Sequence, residues 1–230
     1  MAKDIRVIIP AFNEEASISK VINEIPITVS EIIVANNNST DKTAENAIKA
    51  GAKVVDEPRS GYGYACLAAL NYIEKQSKQP DIIVFLDGDY SDYPQELDKV
   101  VAPILNENMD LVIGARKKEL REAGSMTFPQ VFGNALATFL MRLFFGANFT
   151  DLGPFRAIKY ESLKELEMQD KTYGWTVEMQ LKAIRKKLAY KEVPVRYKRR
   201  IGASKVSGTI KGAIFAGIKI LGWIFKYSFK

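Results

Sequence analysis

The sequence predicts an α/β protein with an open, mostly parallel sheet and helices on both faces. Short apolar runs alternate with longer segments of helical period through the first 115 residues, which is the order of strands and helices in a parallel sheet. The short runs consist almost entirely of Val, Ile and Leu without polar alternation, as expected for strands that are covered on both faces. A chain of 230 residues, of which 47% are hydrophobic, is long enough to bury such a core in one domain.

The first half of the chain contains five predicted strands and four predicted helices in alternation. The strands lie at 5–10, 31–36, 52–57, 81–87 and 109–115. The helices between them lie at 14–25, 41–50, 64–77 and 94–108. Ligands of such sheets bind beyond the carboxyl ends of the strands. The polar and glycine-rich stretches of this sequence follow the strands at those ends, so we expect the functional site there.

The second half of the chain has a looser pattern. After a loop (116–126) come predicted helices at 128–145, 160–168 and 174–188 and predicted strands at 150–158 and 189–197. We interpret residues 1–207 as one domain and residues 208–230 as an appended amphipathic helix. The lysines of that helix, at 211, 219, 226 and 230, are spaced so that they share one side, opposite bulky apolar residues. This pattern is typical of a helix at a membrane interface, and also of a helix packed on its own domain.

The net charge of +6 is concentrated in residues 185–205, where Glu192 is the only acidic residue. Such a cluster predicts a partner that carries phosphate, as nucleic acids, nucleotides and lipid headgroups do. Nucleic acid is not expected, because the segment has no recognition motif and few aromatic residues suited to stacking. The sequence contains no His, which excludes His-based acid–base catalysis and His-ligated zinc.

The expected compartment is the cytoplasm. Cys66 is the only cysteine, which excludes an internal disulfide and fits a reducing environment. The first residues lack the apolar core of a secretion signal. Both long apolar stretches are interrupted by Asn, Arg or Lys, so no membrane-spanning segment is expected.

The stretch "FLDGDYSD" (85–92) places three carboxylates where the fourth strand ends. Like charges at this spacing repel one another, and a divalent cation would remove that repulsion. Mg2+ and Mn2+ prefer oxygen ligands, and phosphate oxygens of a substrate commonly complete their coordination shell. Asp87 and Asp89 therefore suffice as the protein ligands. Gly88 is expected to permit the sharp turn between them. Asp92 is interpreted as the N-cap of a helix that begins at Pro94; an acidic helix cap without a metal is the alternative for all three.

Seven motifs in one order resemble the family 2 glycosyltransferases of the GT-A fold, in the branch of dolichyl-phosphate mannose and glucose synthases. They are "VIIPAFNEE", "NNNSTDKT", "EPRSGYGYA", "DGDYSDYPQEL", "GAR", "TDLGPFRAI" and "RRIGASKVSGT". Together they cover nearly the whole chain. The resemblance implies the GT-A fold, a nucleotide-sugar donor and a metal ion.

The resemblance also implies the roles of individual residues. The nucleoside pocket would contain Pro10, Ala11, Asn13 and Glu15, with Asn36 and Asn37 where the family usually has two Asp residues. Asp87 and Asp89 would bind the metal, and Arg200, Ser204 and Lys205 the phosphates. Gly61 and Gly88 are expected to face the donor. Because an Asn amide can also donate a hydrogen bond, the base stays open between uridine and guanosine.

The acceptor determines whether a general base is needed. A hydroxyl acceptor must lose a proton during attack, and Glu178, beside Trp175 at the start of a predicted helix, is the candidate base. The other interpretation is that Glu178 stabilises the helix N-terminus. A phosphate acceptor needs cations instead, and Arg116 and Arg156 are candidates to bind it by paired hydrogen bonds, although both could form ordinary ion pairs.

The predicted function is therefore metal-dependent, inverting transfer of a hexose from a UDP- or GDP-linked donor to a polyprenyl phosphate. The protein would act at the inner face of the plasma membrane, with Asp89, Arg116 and Glu178 as catalytic candidates. One alternative is the same donor chemistry on a hydroxyl acceptor, with Glu178 as the base. The others are a nucleotide-sugar-binding module without transferase activity and a nucleotidyltransferase.

Overall fold

The computed structural model describes residues 3–202 and 210–228 and contains a seven-stranded sheet. The strands are β1 (Ile5–Ala11), β2 (Glu31–Asn36), β3 (Lys53–Asp56), β4 (Ile82–Phe85), β5 (Leu111–Ala115), β6 (Arg156–Lys159) and β7 (Tyr190–Pro194). Their order across the sheet is β3-β2-β1-β4-β6-β5-β7. Only β6 runs antiparallel to its neighbours. The prediction of an open, mostly parallel sheet is confirmed.

Helices follow or connect the strands throughout the described chain. They are α1 (Ile18–Asn23), α2 (Thr43–Lys49), α3 (Tyr62–Glu74), α4 (Leu97–Asn106), α5 (Phe128–Phe145), α6 (Tyr160–Leu166), α7 (Trp175–Arg185) and α8 (Ile210–Ser228). Short 3-10 turns lie at Pro94–Glu96 and Lys118–Leu120. The boundaries of α5 are set locally: Thr127 and Gln130 form a capping box at its start, and Gly146 ends it in the left-handed conformation.

The sheet separates two apolar layers, which explains the uniform Val and Ile composition of its strands. Ile8 and Ile33 point into the layer on one face, whereas Val7 and Val34 point into the layer on the other. Each central strand is thus buried on both sides, and none needs polar alternation.

Strand β6 begins later than predicted. The prediction placed a strand at 150–158, but residues 150–155 form a loop and β6 starts at Arg156. The loop passes so close to β5 that a β-carbon on Gly153 would lie 2.6 Å from the carbonyl oxygen of Gly114. Pro154 has no N–H to donate to a strand neighbour. The loop is held by side chains instead, because Glu192 accepts hydrogen bonds from the backbone N–H groups of Thr150 and Asp151.

Helix α8 packs on the rest of the domain. Trp223 and Ile224 are buried, and the Trp223 indole N–H donates to Asp170 at 2.6 Å. The Lys219 ammonium lies 3.2 Å from the same carboxylate. The expected separation of lysines from bulky residues is therefore wrong in part: Lys219 contacts the domain, and bulky residues occupy the outer face too. Those exposed residues are Phe215, Ile218 and Phe225.

Helix α5 has an apolar face toward solvent. Phe128, Phe132, Phe139 and Leu143 are between 59% and 81% exposed and lie on one side of the helix. This arrangement reverses the usual one, in which the outer side of a surface helix is polar. The Phe144 ring packs edge-on against the Phe225 ring at 5.9 Å, so α5 and α8 contact each other. Among the helices of the described residues, none combines the length and the hydrophobicity that a membrane span requires.

Candidate active site

A cavity of about 380 Å³ lies at the carboxyl ends of β1 and β4. Its walls come from the strand-end loops, from the start of α7 and from both α5 and α8. Of the residues predicted from the sequence, the cavity is lined by Pro10, Asp87, Gly88, Asp89, Arg116, Trp175 and Arg200. The structure thus brings the acidic turn and two of the predicted cationic residues together.

The acidic turn after β4 presents Asp87 and Asp89 to this cavity. Asp87 Oδ1 accepts a hydrogen bond from the Tyr62 hydroxyl at 3.2 Å, and Asp89 Oδ1 accepts one from the Ser91 backbone N–H at 2.9 Å. Burial and the neighbouring charge of Asp89 raise the pKa of Asp87 to about 7. The Asp87 carboxyl therefore titrates near neutral pH, as expected for a buried carboxyl beside a second carboxylate.

The expected role of Gly88 in the turn is wrong. The backbone of Gly88 does not adopt a positive φ, and a β-carbon there would meet Ala11 and Ile9 only at ordinary contact distance, 3.5 Å. The positive φ of the turn, 65°, belongs to Tyr90. Gly88 lines the cavity, but the turn does not need a glycine at that position.

Asp92 is not the helix cap that the sequence suggested. Tyr93 occupies the N-cap of the 3-10 turn, and the Asp92 carboxylate is buried. Neither of its oxygens has a hydrogen-bond partner among the residues described. Burial, together with the charges of Asp87 and Asp89, raises the pKa of Asp92 well above its ordinary value. The interior behind the acidic turn therefore favours a neutral carboxyl.

The basic segment near residue 200 lies directly on the acidic turn. An Arg200 guanidinium nitrogen is 2.9 Å from Asp89 Oδ2, and the Ile201 backbone N–H donates to the Asp89 carbonyl oxygen at 3.0 Å. Arg200 thus reaches the cavity from a position 111 residues later in the chain. Ser204 and Lys205, predicted to bind phosphate, lie outside the described residues.

Arg116 lines the cavity as a member of a buried ion pair. Its guanidinium donates to both oxygens of Asp151 at 2.8 and 2.6 Å and lies 5.0 Å from the centre of the Tyr197 ring. Burial by itself would raise the pKa of Asp151, but the Arg116 charge and hydrogen bonds lower it. The pair fixes the orientation of the guanidinium at the cavity wall.

Arg156 does not reach the cavity, contrary to prediction. Its side chain is fully buried. The Nε–H group donates a hydrogen bond to the carbonyl oxygen of Gly153 at 3.1 Å, and a terminal N–H group of the guanidinium donates one to the carbonyl oxygen of Thr176. Burial lowers the pKa of Arg156 to about 10. The residue joins the loop before β6 to the start of α7, which is a structural role.

Glu178 is also placed away from the cavity. Its two oxygens accept hydrogen bonds from the backbone N–H groups of Gln169 and Asp170 at 2.9 and 2.7 Å, and Lys182 lies 2.8 Å away. The carboxylate is fully buried in the first turn of α7. Because a general base must reach the proton that it removes, this geometry opposes the catalytic role and supports the structural one.

Trp175 is buried and forms part of the cavity wall. Its ring packs edge-on against Phe85, with 5.9 Å between ring centres. Within the described chain the indole N–H has no hydrogen-bond partner. Since that group is a donor only, it is suited to an oxygen of a ligand.

Several residues predicted for the donor hold loops in place and do not line the cavity. The Asn37 amide donates to the Arg59 carbonyl oxygen at 2.7 Å and accepts from the Gly61 N–H at 2.8 Å, and the Asn36 amide donates to Asp56 at 2.7 Å. A β-carbon on Gly61 would lie 2.3 Å from the Lys171 carbonyl oxygen, so close packing requires glycine there.

The residues predicted around the end of β1 have the same kind of role. Asn13 accepts a hydrogen bond from the Thr40 N–H at 2.9 Å, and Glu15 accepts one from the Lys42 N–H at 3.1 Å. Both therefore organise the loop before α2. Ala11 is buried within β1, and of the four predicted residues only Pro10 lines the cavity.

Other cavity residues were not predicted. Phe12, Glu14 and Tyr62 line it and lie within the motifs "VIIPAFNEE" and "EPRSGYGYA", so their closeness to predicted site residues in the sequence could have indicated them. Gln130 and Asn134 of α5 also line it. The sequence carried no signal for them, because their segment has the pattern of an ordinary apolar helix.

The cavity fits a divalent cation whose ligands are partly supplied by substrate. Asp87 and Asp89 offer only oxygen atoms, and burial together with the neighbouring charge of Asp89 raises the pKa of Asp87. Among the residues that the structure describes, no three Asp, Glu or Cys side chains are grouped so that they could hold a metal ion. Mg2+ and Mn2+ commonly complete two protein carboxylates with phosphate oxygens, so a bound diphosphate would supply the rest.

Comparison with known proteins identifies the family. The model described as "Glycosyl transferase family 2" matches residues 6–167. An uncharacterized glycosyltransferase of Mycobacterium bovis is 34% identical over 220 residues, which cover 94% of this chain and 96% of that protein. A dolichyl-phosphate hexose transferase of Haloferax volcanii is 31% identical over 221 residues, which cover 91% and 90%.

The fold is also found in a solved structure. Glucosyl-3-phosphoglycerate synthase from Mycobacterium tuberculosis, in complex with Mn2+, UDP-glucose and phosphoglyceric acid, matches with a TM-score of 0.78 at 24% identity. The match covers 98% of this chain and 80% of that one. It confirms the predicted GT-A fold. The family model and the two relatives show that this chain belongs to glycosyl transferase family 2 and is a glycosyltransferase.

Proposed function

We propose that this enzyme transfers a hexose from a nucleoside diphosphate sugar to a polyprenyl phosphate, with inversion in a single in-line displacement. One observation carries the proposal: a single cavity joins the carboxylates at the end of β4 to two helices with exposed apolar faces. The similarity to a dolichyl-phosphate hexose transferase over 91% of the chain supports the same acceptor class.

The acidic end of the cavity is suited to the donor. Mg2+ or Mn2+ held by Asp87 and Asp89 would neutralise the negative charge that develops on the departing diphosphate. Arg200, already 2.9 Å from Asp89, would donate hydrogen bonds to the same phosphate groups. The structural neighbour binds UDP-glucose with Mn2+, which supports uridine as the base.

The other end of the cavity is suited to a phosphate acceptor. Of the described residues, the carboxylates that line the cavity are Glu14, Asp87 and Asp89, and all three belong to the β1 and β4 loops. A hydroxyl acceptor would need a base at its own end, and Glu178 is buried elsewhere. A phosphate monoester is already anionic at neutral pH and needs only donors such as Arg116 and the Trp175 indole.

The lipid would enter from a membrane surface. The outer faces of α5 and α8 expose aromatic and aliphatic side chains, and both helices also line the cavity. Apolar surface of this kind partitions into the headgroup region of a bilayer. We place the enzyme at the inner face of the plasma membrane, in peripheral contact, with α8 packed on the domain and its outer face on the lipid.

A transfer assay with several donors and acceptors tests the proposal. The protein is incubated with Mn2+ or Mg2+, UDP- and GDP-hexoses and either a short-chain polyprenyl phosphate or 3-phosphoglycerate. We expect a nucleoside diphosphate and a glycolipid. Transfer to 3-phosphoglycerate alone would contradict the lipid acceptor, release of pyrophosphate would indicate nucleotidyl transfer, and donor binding without any product would indicate a binding module.

A Glu178→Gln variant separates the two acceptor classes in the same assay. If the acceptor is a phosphate, kcat should stay within about tenfold of the parent, because Gln preserves the shape of the buried side chain. A loss of several orders of magnitude, with the fold intact by circular dichroism, would instead support a hydroxyl acceptor with Glu178 as base.

A further inference from the structure

A second cavity, of about 350 Å³, lies between the loop 116–126 and one side of α5. Most of its charged lining is cationic. The cationic residues are Arg116, Lys117, Lys118, Arg121 and Arg142. Among the described residues of the lining, Asp151 is the only acidic one. The cavity is therefore a concave surface with a strong excess of positive charge, which attracts anions.

Ion pairs within the protein compensate only part of this charge. Arg116 is paired with Asp151, and the Lys117 ammonium lies 3.8 Å from the carboxylate of Glu192. The remaining three cations, Lys118, Arg121 and Arg142, form no ion pair with any residue of the described chain. Three uncompensated cations around one cavity leave a site for an external negative charge.

The neutral polar groups of this cavity are already engaged with the protein. The Asn134 amide donates to the Thr150 carbonyl oxygen at 3.0 Å and accepts from the Leu152 N–H at 2.8 Å. The Thr138 hydroxyl donates to the Asn134 carbonyl oxygen at 3.0 Å, and the Thr150 hydroxyl donates to Glu192 at 2.6 Å. The donors left for a ligand are those of the cations. A ligand with several anionic oxygens, such as a phosphate, matches that donor set.

We propose that this second cavity is a phosphate-binding site separate from the transfer site. Val131 and Phe139 stand in the same wall and are 39% and 59% exposed. Cations beside exposed apolar side chains match a phosphate that is attached to hydrocarbon chains. A phospholipid headgroup is therefore the favoured source of the phosphate, and free phosphate is the alternative. The choice of a phospholipid rests on the membrane contact proposed above, whereas phosphate binding itself does not.

The site is connected to the transfer cavity. Arg116, Met126 and Asn134 line both cavities. The Arg121 guanidinium also contacts the Met126 sulfur at 3.0 Å. A phosphate bound by Lys118 and Arg121 of the loop and by Arg142 of α5 would therefore tether the loop that carries Arg116 to α5.

Charge-neutral variants on the two walls test the site. One variant, Arg142→Gln, removes the cation on α5, and a second, Lys118→Gln/Arg121→Gln, removes two cations of the loop. The matched control is Lys75→Gln/Lys186→Gln. These two lysines are exposed and line neither cavity. Binding is measured without donor or metal, by titration calorimetry with inorganic phosphate and by cosedimentation with vesicles of phosphatidylglycerol or phosphatidylcholine.

We expect the cavity variants, and not the control, to weaken binding by about tenfold for each lost contact to phosphate. A loss confined to phosphatidylglycerol vesicles identifies a lipid headgroup, and a loss with inorganic phosphate identifies a free phosphate. If neither binding changes, or if the control weakens vesicle binding as much, the site does not exist. Because these experiments measure binding and not transfer, their outcome can be interpreted even if the glycosyltransferase assay gives no product.

Discussion

The acidic turn after β4 and the helices α5 and α8 all contribute to the lining of one cavity, but they present different surfaces. At the turn, Asp89 is bonded by Ser91 and paired with Arg200, and the strand beneath it is fully buried. On α5 and α8, large apolar side chains such as Phe132, Phe139 and Ile218 are exposed to solvent. A polar site that stabilises charge is preorganised before the ligand binds. An apolar surface that binds a bilayer needs only to be exposed.

The largest expected effect is on the acidic side. Asp89→Asn preserves the size of the side chain but removes the charge that pairs with Arg200 and would hold the cation. We expect transfer to fall roughly 100-fold or more, measured as nucleotide release at saturating donor and metal. Asp98→Asn, an exposed carboxylate of α4, is the matched control. Activity of Asp89→Asn at the level of that control would show that the acidic turn is not the reaction centre.

The next effect tests how α8 is attached. Trp223→Ala removes a buried ring and the hydrogen bond to Asp170, so we expect the free energy of unfolding to fall by about 3 kcal/mol. Phe225→Ala, on the exposed face of the same helix, should cost about 1 kcal/mol or less. Urea unfolding, followed by far-UV circular dichroism so that the signal does not depend on tryptophan, measures both losses of stability. Equal losses would mean that α8 does not pack on the domain through the Trp223 face.

A smaller effect is expected on the apolar surface. Phe132→Ser/Phe139→Ser removes two exposed rings of α5 and should weaken binding to lipid vesicles by about tenfold, with the free energy of unfolding almost unchanged. Ile27→Ser, which changes a fully exposed apolar residue elsewhere, is the control. If both variants bind vesicles like the parent, α5 is not part of the membrane contact.

The smallest effect concerns the carboxyl behind the acidic turn. Because the pKa of Asp92 is raised in the folded protein, its contribution to stability is present at acid pH and is lost as the pH rises above the unfolded value of 3.8. Asp92→Asn removes this loss, so the variant should gain about 1 kcal/mol over the parent at pH 8 and less at pH 4. Urea unfolding at the two pH values, without metal, measures the difference. A gain that is independent of pH would show that Asp92 is ionised in the fold.

The sequence predicted the sheet and the acidic turn well, and the side-chain roles less well. Strands of Val and Ile identify themselves locally, and Asp87 and Asp89 follow β4 directly, so their place at its carboxyl end required no tertiary information. In the sequence, the surroundings of Glu178 and Arg156 look the same as those of exposed functional residues. Their burial depends on the loops around 153 and 169, which no local pattern describes.

The fold class, the family resemblance and the strand end at which charge collects can be inferred from the amino-acid order alone, because each depends on periodicity or on residues adjacent in the chain. Which side chains share the cavity depends on contacts between distant parts of the chain. Arg200 meets Asp89 across 111 residues, and α5 and α8 close the same space from distant parts of the sequence. Such contacts arise from the packing of elements on the sheet, and packing depends on shapes that the pattern of apolar residues does not specify.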